Sequence, residues 1–219
     1  MFPLKNNFNA ISKEIIQAST RKVTLLAVSK TRTTQKIQEA FSLGIKHFGE
    51  NRVQEAEKKH PHLPSEAEIH LIGHLQSNKI KKAIKIFDVI ETIDSTSLAE
   101  KINKQAKKIN KKQRIYCQVN IGSDPKKTGF KVNDIYAEIN KIVKLKNISL
   151  DGIMTILPQN LSLKESQQLY LKTAQIKKKI SLKYKLKLDL SMGMSADYIL
   201  AIQCGATIVR IGTKLFGER

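Results

Sequence analysis

The chain has 219 residues, 41% of them apolar, and carries 39 basic against 19 acidic residues for a formal net charge of +20. That length suits one domain over residues 1–219, and no apolar run approaches the roughly 20 residues that a bilayer span needs. The N-terminus lacks an apolar signal core, so a cytoplasmic location is expected.

Cys117 and Cys204 have no CxxC spacing and read as small buried hydrophobes, so no metal site is implied. The basic excess lies on predicted helix faces such as Lys58-Lys59, Lys107-Lys108 and Lys177-Lys178-Lys179. Aromatics make up only 5% of the chain, so no stacking platform accompanies the charge and no specific nucleic-acid partner is expected. A lysine-rich surface also disfavours self-association, and a monomer is expected.

In chain order, Phe8, Ile11, Ile15 and Ile16 at helical spacing predict an N-terminal helix over Lys5 to Ser19 that plugs one end of the fold. A short apolar strand, Thr24 to Lys30, stops on a lysine and hands over to a helix from Gln35 to Leu43. Ile45 to Gly49 and Glu50 to Lys59 repeat the strand and helix. Further strands are predicted at Glu68 to Gly73, Asp88 to Thr92, Ile115 to Ile121, Leu150 to Ile156, Lys187 to Leu190 and Ala206 to Ile211. Helices fall between them at Ser77 to Phe87, Leu98 to Ile109 (capped by Asp94 or Ser95), Val132 to Val143, Leu163 to Leu182 and Ala196 to Cys204. A last short helix covers Thr213 to Arg219. Eight strands alternating with helices predict an α/β fold, a single (β/α)8 TIM-type barrel with an extra N-terminal helix. An open doubly wound sheet and a barrel with one strand misassigned are the competing arrangements.

In either fold the C-terminal ends of the strands converge on one face. Lys30 would sit there among apolar neighbours, desolvated enough for its neutral amine to attack an aldehyde. Ser191 to Ser195 leaves the seventh strand and opens a helix, and Ile211-Gly212-Thr213 leaves the eighth in the same way. Loops after strands seven and eight of a barrel commonly hold phosphate. An amine nucleophile facing a phosphate cradle describes a site for pyridoxal phosphate.

Six ordered segments carry a resemblance: Leu26 to Thr31, His47 to Asn51 with Val53-Gln54-Glu55, His70 to Lys79, Gly152 to Ile156, Ser191 to Ser195, and Val209 to Thr213 with Phe216-Gly217. Together they resemble the pyridoxal phosphate homeostasis proteins, single-barrel relatives of the alanine racemase N-terminal domain. The resemblance implies that Lys30 holds pyridoxal 5'-phosphate as an internal aldimine. It further implies that Ser195, Gly212 and Thr213 hold the phosphate, that Arg210 faces the ring nitrogen, and that Asn51 and Met154 line the pocket. Met154 is equally suited to barrel core and Asn51 to a helix N-cap. His74 is left open between acid-base and structural roles, and Lys127 between an anion contact and a solvated lysine. Arg32 stands where relatives often carry a second lysine, and an arginine cannot form an imine.

The function implied is intracellular homeostasis of the cofactor, with cofactor-dependent apo-enzymes as candidate partners and no catalytic residues. An arginine at the ring nitrogen makes a poor electron sink. The alternative is a small amino-acid racemase, which needs a second acid-base group on the opposite face. The five tyrosines all fall within predicted strands or helices of the barrel.

Overall fold

The computed structural model describes residues 3–125 and 127–218. In order, the elements are α1 (Pro3–Ala18), β1 (Thr24–Val28), α2 (Thr34–Ser42), β2 (His47–Glu50), α3 (Val53–Lys59), β3 (Glu68–Leu71), α4 (Ile80–Ile86), β4 (Val89–Ile93) and α5 (Thr96–Lys108). They continue with β5 (Gln113–Gln118), α6 (Ile135–Ile142), β6 (Ile148–Met154), α7 (Leu163–Tyr184), β7 (Asp189–Met194), α8 (Tyr198–Gln203), β8 (Ile208–Ile211) and α9 (Thr213–Phe216). All eight strands pair in parallel and in sequence order, and β8 closes onto β1. The barrel is therefore the fold, and the open sheet is excluded.

Several boundaries depart from expectation, each for a local reason. β1 ends at Val28, two residues before Lys30, because Thr31 turns the chain with a left-handed φ of 63°. Glu50 closes β2 instead of opening a helix, since it is buried beside Lys59. β7 runs on to Met194, so Ser191 to Met194 belong to the strand and not to a loop. Ser95, not Asp94, caps α5 by accepting the Leu98 N–H. α1 does not plug the barrel but lies in the outer layer against α8 and α9, where Asn7 donates to the Leu215 carbonyl. Its buried apolar residues are Leu4, Ile11 and Ile15, and α9 beside it is only four residues long. The expected last helix stops at Phe216, and Arg219 lies outside the described residues. Among the described residues, no helix is long and apolar enough to cross a membrane.

Period-two alternation along each strand sorts the side chains into two sets. One set, including Ala27, Phe48, Ile69, Leu71, Ile90, Ile115, Cys117, Ile153, Leu190, Val209 and Ile211, joins the large core between strands and helices. Between them in sequence stand the inward residues, of which Leu26, Val89, Tyr116, Met154 and Ile208 form a smaller apolar cluster. The remaining inward positions are polar. His70 is clamped between two carboxylates, with Nδ1 2.6 Å from Glu91 Oε1 and Nε2 2.7 Å from Glu68 Oε1. Both ring nitrogens can donate at once only in the imidazolium, so this geometry describes a charged histidine. The Arg114 guanidinium joins Glu68 Oε2 at 2.8 Å and Asp151 Oδ2 at 2.6 Å. Buried charges without such partners would cost several kcal/mol each.

Gly193 permits the irregular end of β7, where pairing with β8 shifts register between Ser191 and Met194. Its φ is +88°, and a Cβ there would lie 2.5 Å from Ala201 Cβ. Gly193→Ala is therefore expected to destabilise the fold by roughly 1 to 3 kcal/mol. Urea unfolding measures this, and an unchanged midpoint would refute it. A second expectation concerns His70. Burial works to lower its pKa, but the hydrogen bonds and charges of Glu68 and Glu91 more than offset that and lift it from 6.5 to about 9. The stabilisation is thus fully present below pH about 6.5 and is lost as pH rises through about 9, a contribution on the order of 3 kcal/mol. Unfolding free energy measured from pH 6 to 10 should fall across that window in the native protein and flatten in His70→Gln.

Candidate functional site

The C-terminal ends of β1, β7 and β8 open onto a cavity of about 320 Å³, lined by Val28, Lys30, Arg32, Met194, Ser195, Ala196, Arg210, Gly212 and Thr213. This volume falls at the lower end of the range for small-molecule sites. Three of the lining residues are cationic and none is acidic, so the cavity suits an anion.

Lys30 stands on the turn after β1, half-buried, and shares the cavity wall with Val28 and Met194. A buried ionic clamp fixes the residues on either side of it. Lys59 Nζ donates to the Ser29 carbonyl at 2.9 Å, to Glu50 Oε1 at 2.8 Å and to Glu55 Oε1 at 2.6 Å. Ser29 Oγ donates to Glu50 Oε1 at 2.7 Å, and the Thr31 N–H donates to Glu55 Oε1 at 2.5 Å. The left-handed backbone of Thr31 costs about 1 to 2 kcal/mol for a residue with a Cβ, and the Glu55 bond holds it in place. Burial raises the pKa of Glu50 despite its bonds to Lys59 and Ser29. For Glu55 burial pulls the same way, but Lys59 and the Thr31 amide prevail and lower it. Amphipathic spacing did not reveal this clamp, because Glu50 and Lys59 lie nine residues apart in a polar stretch and become buried only when α3 packs beside β2.

Opposite Lys30, Ser195 Oγ accepts the N–H groups of Gly212 at 3.4 Å and Lys214 at 3.5 Å. Those bonds are long, so the amides are only lightly held and can donate to a bound anion instead. Thr213, between them, presents an exposed hydroxyl at the rim. Arg210 forms part of the floor. Its Nη1 donates to Ser191 Oγ and its Nη2 to the Thr155 carbonyl, both at 2.8 Å, leaving further N–H donors on the fork. Burial pulls its pKa down, with Glu91, Tyr170 and Asp197 pushing back. At the rim, the Arg32 guanidinium donates to the Gly217 and Glu218 carbonyls and lies over the Phe216 ring, tying the C-terminal segment to the cavity wall.

Lys30, Ser195, Arg210, Gly212 and Thr213 are therefore brought together, while the other two candidates stand apart. Met154 is fully buried at the end of β6 and packs in the inward apolar cluster. Asn51 lines a neighbouring groove with Gly73 and His74, and it is not the helix cap, since Arg52 occupies the N-cap of α3. His74 is largely exposed with Nδ1 3.4 Å from Asp94. Lys127 donates to the Leu157 carbonyl and lines a separate pocket beside Asn120 and Asp124. Glu91 and His70 emerge as further polar groups behind the floor. A charge at an inward position of a strand buried on both faces, as in Val89-Ile90-Glu91-Thr92, is the signal that could have exposed them.

At the opposite end of the barrel, ligating atoms of His47, Glu68 and His70 lie within 4.8 Å of one another. His47 Nδ1 is 3.3 Å from Glu68 Oε1, near enough for charge attraction without making a hydrogen bond. Both nitrogens of His70 already face carboxylates and Arg114 already holds Glu68, so these three form an ion-pair network that leaves His47 Nδ1 without a hydrogen bond. Chemically, the cavity combines an amine, an anion cradle and a guanidinium donor. That set fits a phosphorylated aldehyde whose ring carries a hydrogen-bond acceptor.

Comparison with known proteins identifies the family of this barrel. The family model for the alanine racemase N-terminal domain matches residues 3–219. The pyridoxal phosphate homeostasis protein of Synechocystis is 37% identical over 213 residues, covering 96% of this chain and 98% of its own. That of Escherichia coli is 33% identical over 233 residues, covering 100% and 98%. PipY of Synechococcus elongatus, solved with pyridoxal phosphate bound, superposes with a TM-score of 0.89 at 36% identity over 98% of this chain and 100% of its own. An alanine racemase of Clostridium difficile shares the fold, with a TM-score of 0.78 at 19% identity, and this chain covers 56% of its length. By family model, sequence and barrel alike, the chain belongs to the pyridoxal phosphate homeostasis protein family, within the wider family of the alanine racemase N-terminal domain.

Proposed function

We propose that this protein binds pyridoxal 5'-phosphate and serves its intracellular homeostasis, acting as one barrel domain over residues 1–219, as a monomer in the cytoplasm. Lys30 holds the cofactor as a Schiff base, with Ser195, Gly212 and Thr213 at the phosphate and Arg210 at the ring nitrogen. Asn51 and Met154 complete the surroundings from the neighbouring groove and from beneath the floor. Apo-enzymes that need the cofactor are its candidate recipients. The cofactor-bound PipY structure supports the ligand, and the relatives' names support the role.

The observation that carries the non-catalytic reading is the lining of the cavity. Apart from Lys30, it offers no group suited to move a proton at neutral pH: among the described residues no tyrosine, histidine or carboxylate faces it. Tyr116 donates to Asp189, Tyr170 to Asp197 and Tyr198 to Glu14, each engaged away from Lys30. A racemase needs acid-base groups on both faces of its substrate, and losing one positioned group forfeits about 100- to 10,000-fold in rate. Arg210, always cationic and a donor only, also favours an unprotonated ring nitrogen.

Two outcomes are expected. Borohydride should fix the cofactor on Lys30, shown by peptide mass mapping, and Lys30→Ala should lose both the fixed adduct and the visible absorbance; labelling of another lysine with Lys30 free would refute the assignment. Loaded protein incubated with L-alanine and other L-amino acids in deuterated water should show little α-carbon exchange and no accumulating D-enantiomer by chiral chromatography. Turnover approaching the roughly 10 per second typical of enzymes, and dependent on Lys30, would establish the racemase instead.

A further inference from the structure

Behind the cavity floor, the polar side chains inside the barrel join in a single file. Arg210 Nη1 donates to Ser191 Oγ at 2.8 Å, and Ser191 Oγ donates to Glu91 Oε2 at 2.6 Å. The other oxygen of Glu91 receives His70 Nδ1 at 2.6 Å, and His70 Nε2 reaches Glu68 at 2.7 Å. Ser191 and Glu91 are fully buried, and His70 and Arg210 nearly so. Glu68, by contrast, is partly exposed at the far end of the barrel beside His47 and Arg114. The directions are unambiguous: the two cations donate, Ser191 accepts from Arg210 and donates to Glu91, and Glu91 accepts from both sides.

We infer that Glu91 is a positioning residue for Arg210, orienting the guanidinium through Ser191, and that His70 couples this arrangement to the ionic cluster at the opposite end of the barrel. The inference rests on the reading of the cavity as a cofactor site with Arg210 at the ring nitrogen. Glu91 has no other cation within hydrogen-bonding distance than His70, and Arg210 has no direct carboxylate partner among the described residues. A hydroxyl between them lets the guanidinium stay at the cavity while its charge is balanced one side chain further in. The burial of Glu91 works to raise its pKa, but His70, Arg210 and Ser191 overcome that and lower it, in keeping with a carboxylate held ionised.

The groups that face His70 define what its titration reports. Glu68 lies on its own strand, and the His47 ring stands edge-on at 5.9 Å from β2. Glu91 faces it from β4, the Tyr116 ring lies at 6.3 Å from β5, and Arg114 acts through Glu68. Asp189 acts through the Tyr116 hydroxyl, and Arg210 on β8 acts through Ser191 and Glu91. Linkage is reciprocal, so a change in the charge of His70 must alter the surroundings of Arg210, and the converse.

The test follows His70 by NMR of its labelled ring and the cofactor by absorbance. Uptake of pyridoxal phosphate by the native protein is measured first, and failure to bind would refute the cavity reading separately from the coupling. In the apo-protein, Arg210→Gln should raise the His70 midpoint by roughly one pH unit, because a positive charge no longer competes for Glu91; an unchanged midpoint overturns the coupling. In the loaded native protein, cofactor absorbance should show a step at the His70 midpoint that is absent from His70→Gln. Ser191→Ala keeps every charge but removes the relay, and it should abolish that step and weaken cofactor binding about tenfold. Glu91→Asp should retain more of the step than Glu91→Gln. Should Arg210→Gln not fold, the step in the loaded protein decides: its absence, or its survival in Ser191→Ala, overturns the inference.

Discussion

A carboxylate sealed inside a parallel barrel must be compensated, and in this protein the compensation of Glu91 organises the interior. Glu91 stands at an inward position of β4 with no exposure to solvent, where an isolated charge would be pushed toward neutrality. Its partners come from β3 and β7, with Arg210 one step further on β8. Register therefore decides whether the charge is tolerable, since a shift of one residue would turn those side chains outward into the apolar layer. Such a polar interior is a weak source of net stability, because desolvation opposes the attraction. Its value lies in direction: it leaves Arg210 with a fixed orientation at the floor of the cavity.

The same physics governs the other wall. Lys59, Glu50 and Glu55 form a compact ionic cluster whose bonds end on the backbone of Ser29 and Thr31. Lys30 is thereby presented from a turn pinned on both sides, while its own side chain has no carboxylate partner among the described residues. A fixed backbone and an amine without a carboxylate partner suit the attachment point proposed for Lys30. Around it the cavity gathers cations and amide donors, in keeping with the proposed binding of a phosphorylated aldehyde.

Much of this was legible in the residues themselves. Alternation of short apolar runs with amphipathic helices specifies a (β/α)8 barrel because a parallel strand buried on both faces needs a helix to return the chain. The placement of Lys30, Ser195, Arg210, Gly212 and Thr213 follows from that pattern, since strand C-termini of a barrel share one face whatever their separation in sequence. Strand ends were less legible. The end of β1 depends on a left-handed Thr31 held by Glu55, twenty-four residues away, and the extension of β7 to Met194 depends on Gly193 against α8.

The tertiary structure alone decided which polar residues meet. His70 read as part of a motif, Glu91 as a strand residue and Ser191 as the start of a loop, and nothing in their spacing of 21 and 100 residues marks them as neighbours. Asn51 likewise lines a neighbouring groove and Met154 packs in the inward apolar cluster, placements that hydrophobic periodicity does not encode. The sequence by itself determined the order of elements, the face that carries the site and most of its residues, because those follow from local periodicity and chain connectivity. Closure and register of the barrel decided the rest, because hydrogen bonds between strands distant in sequence are made only once the sheet has curled shut.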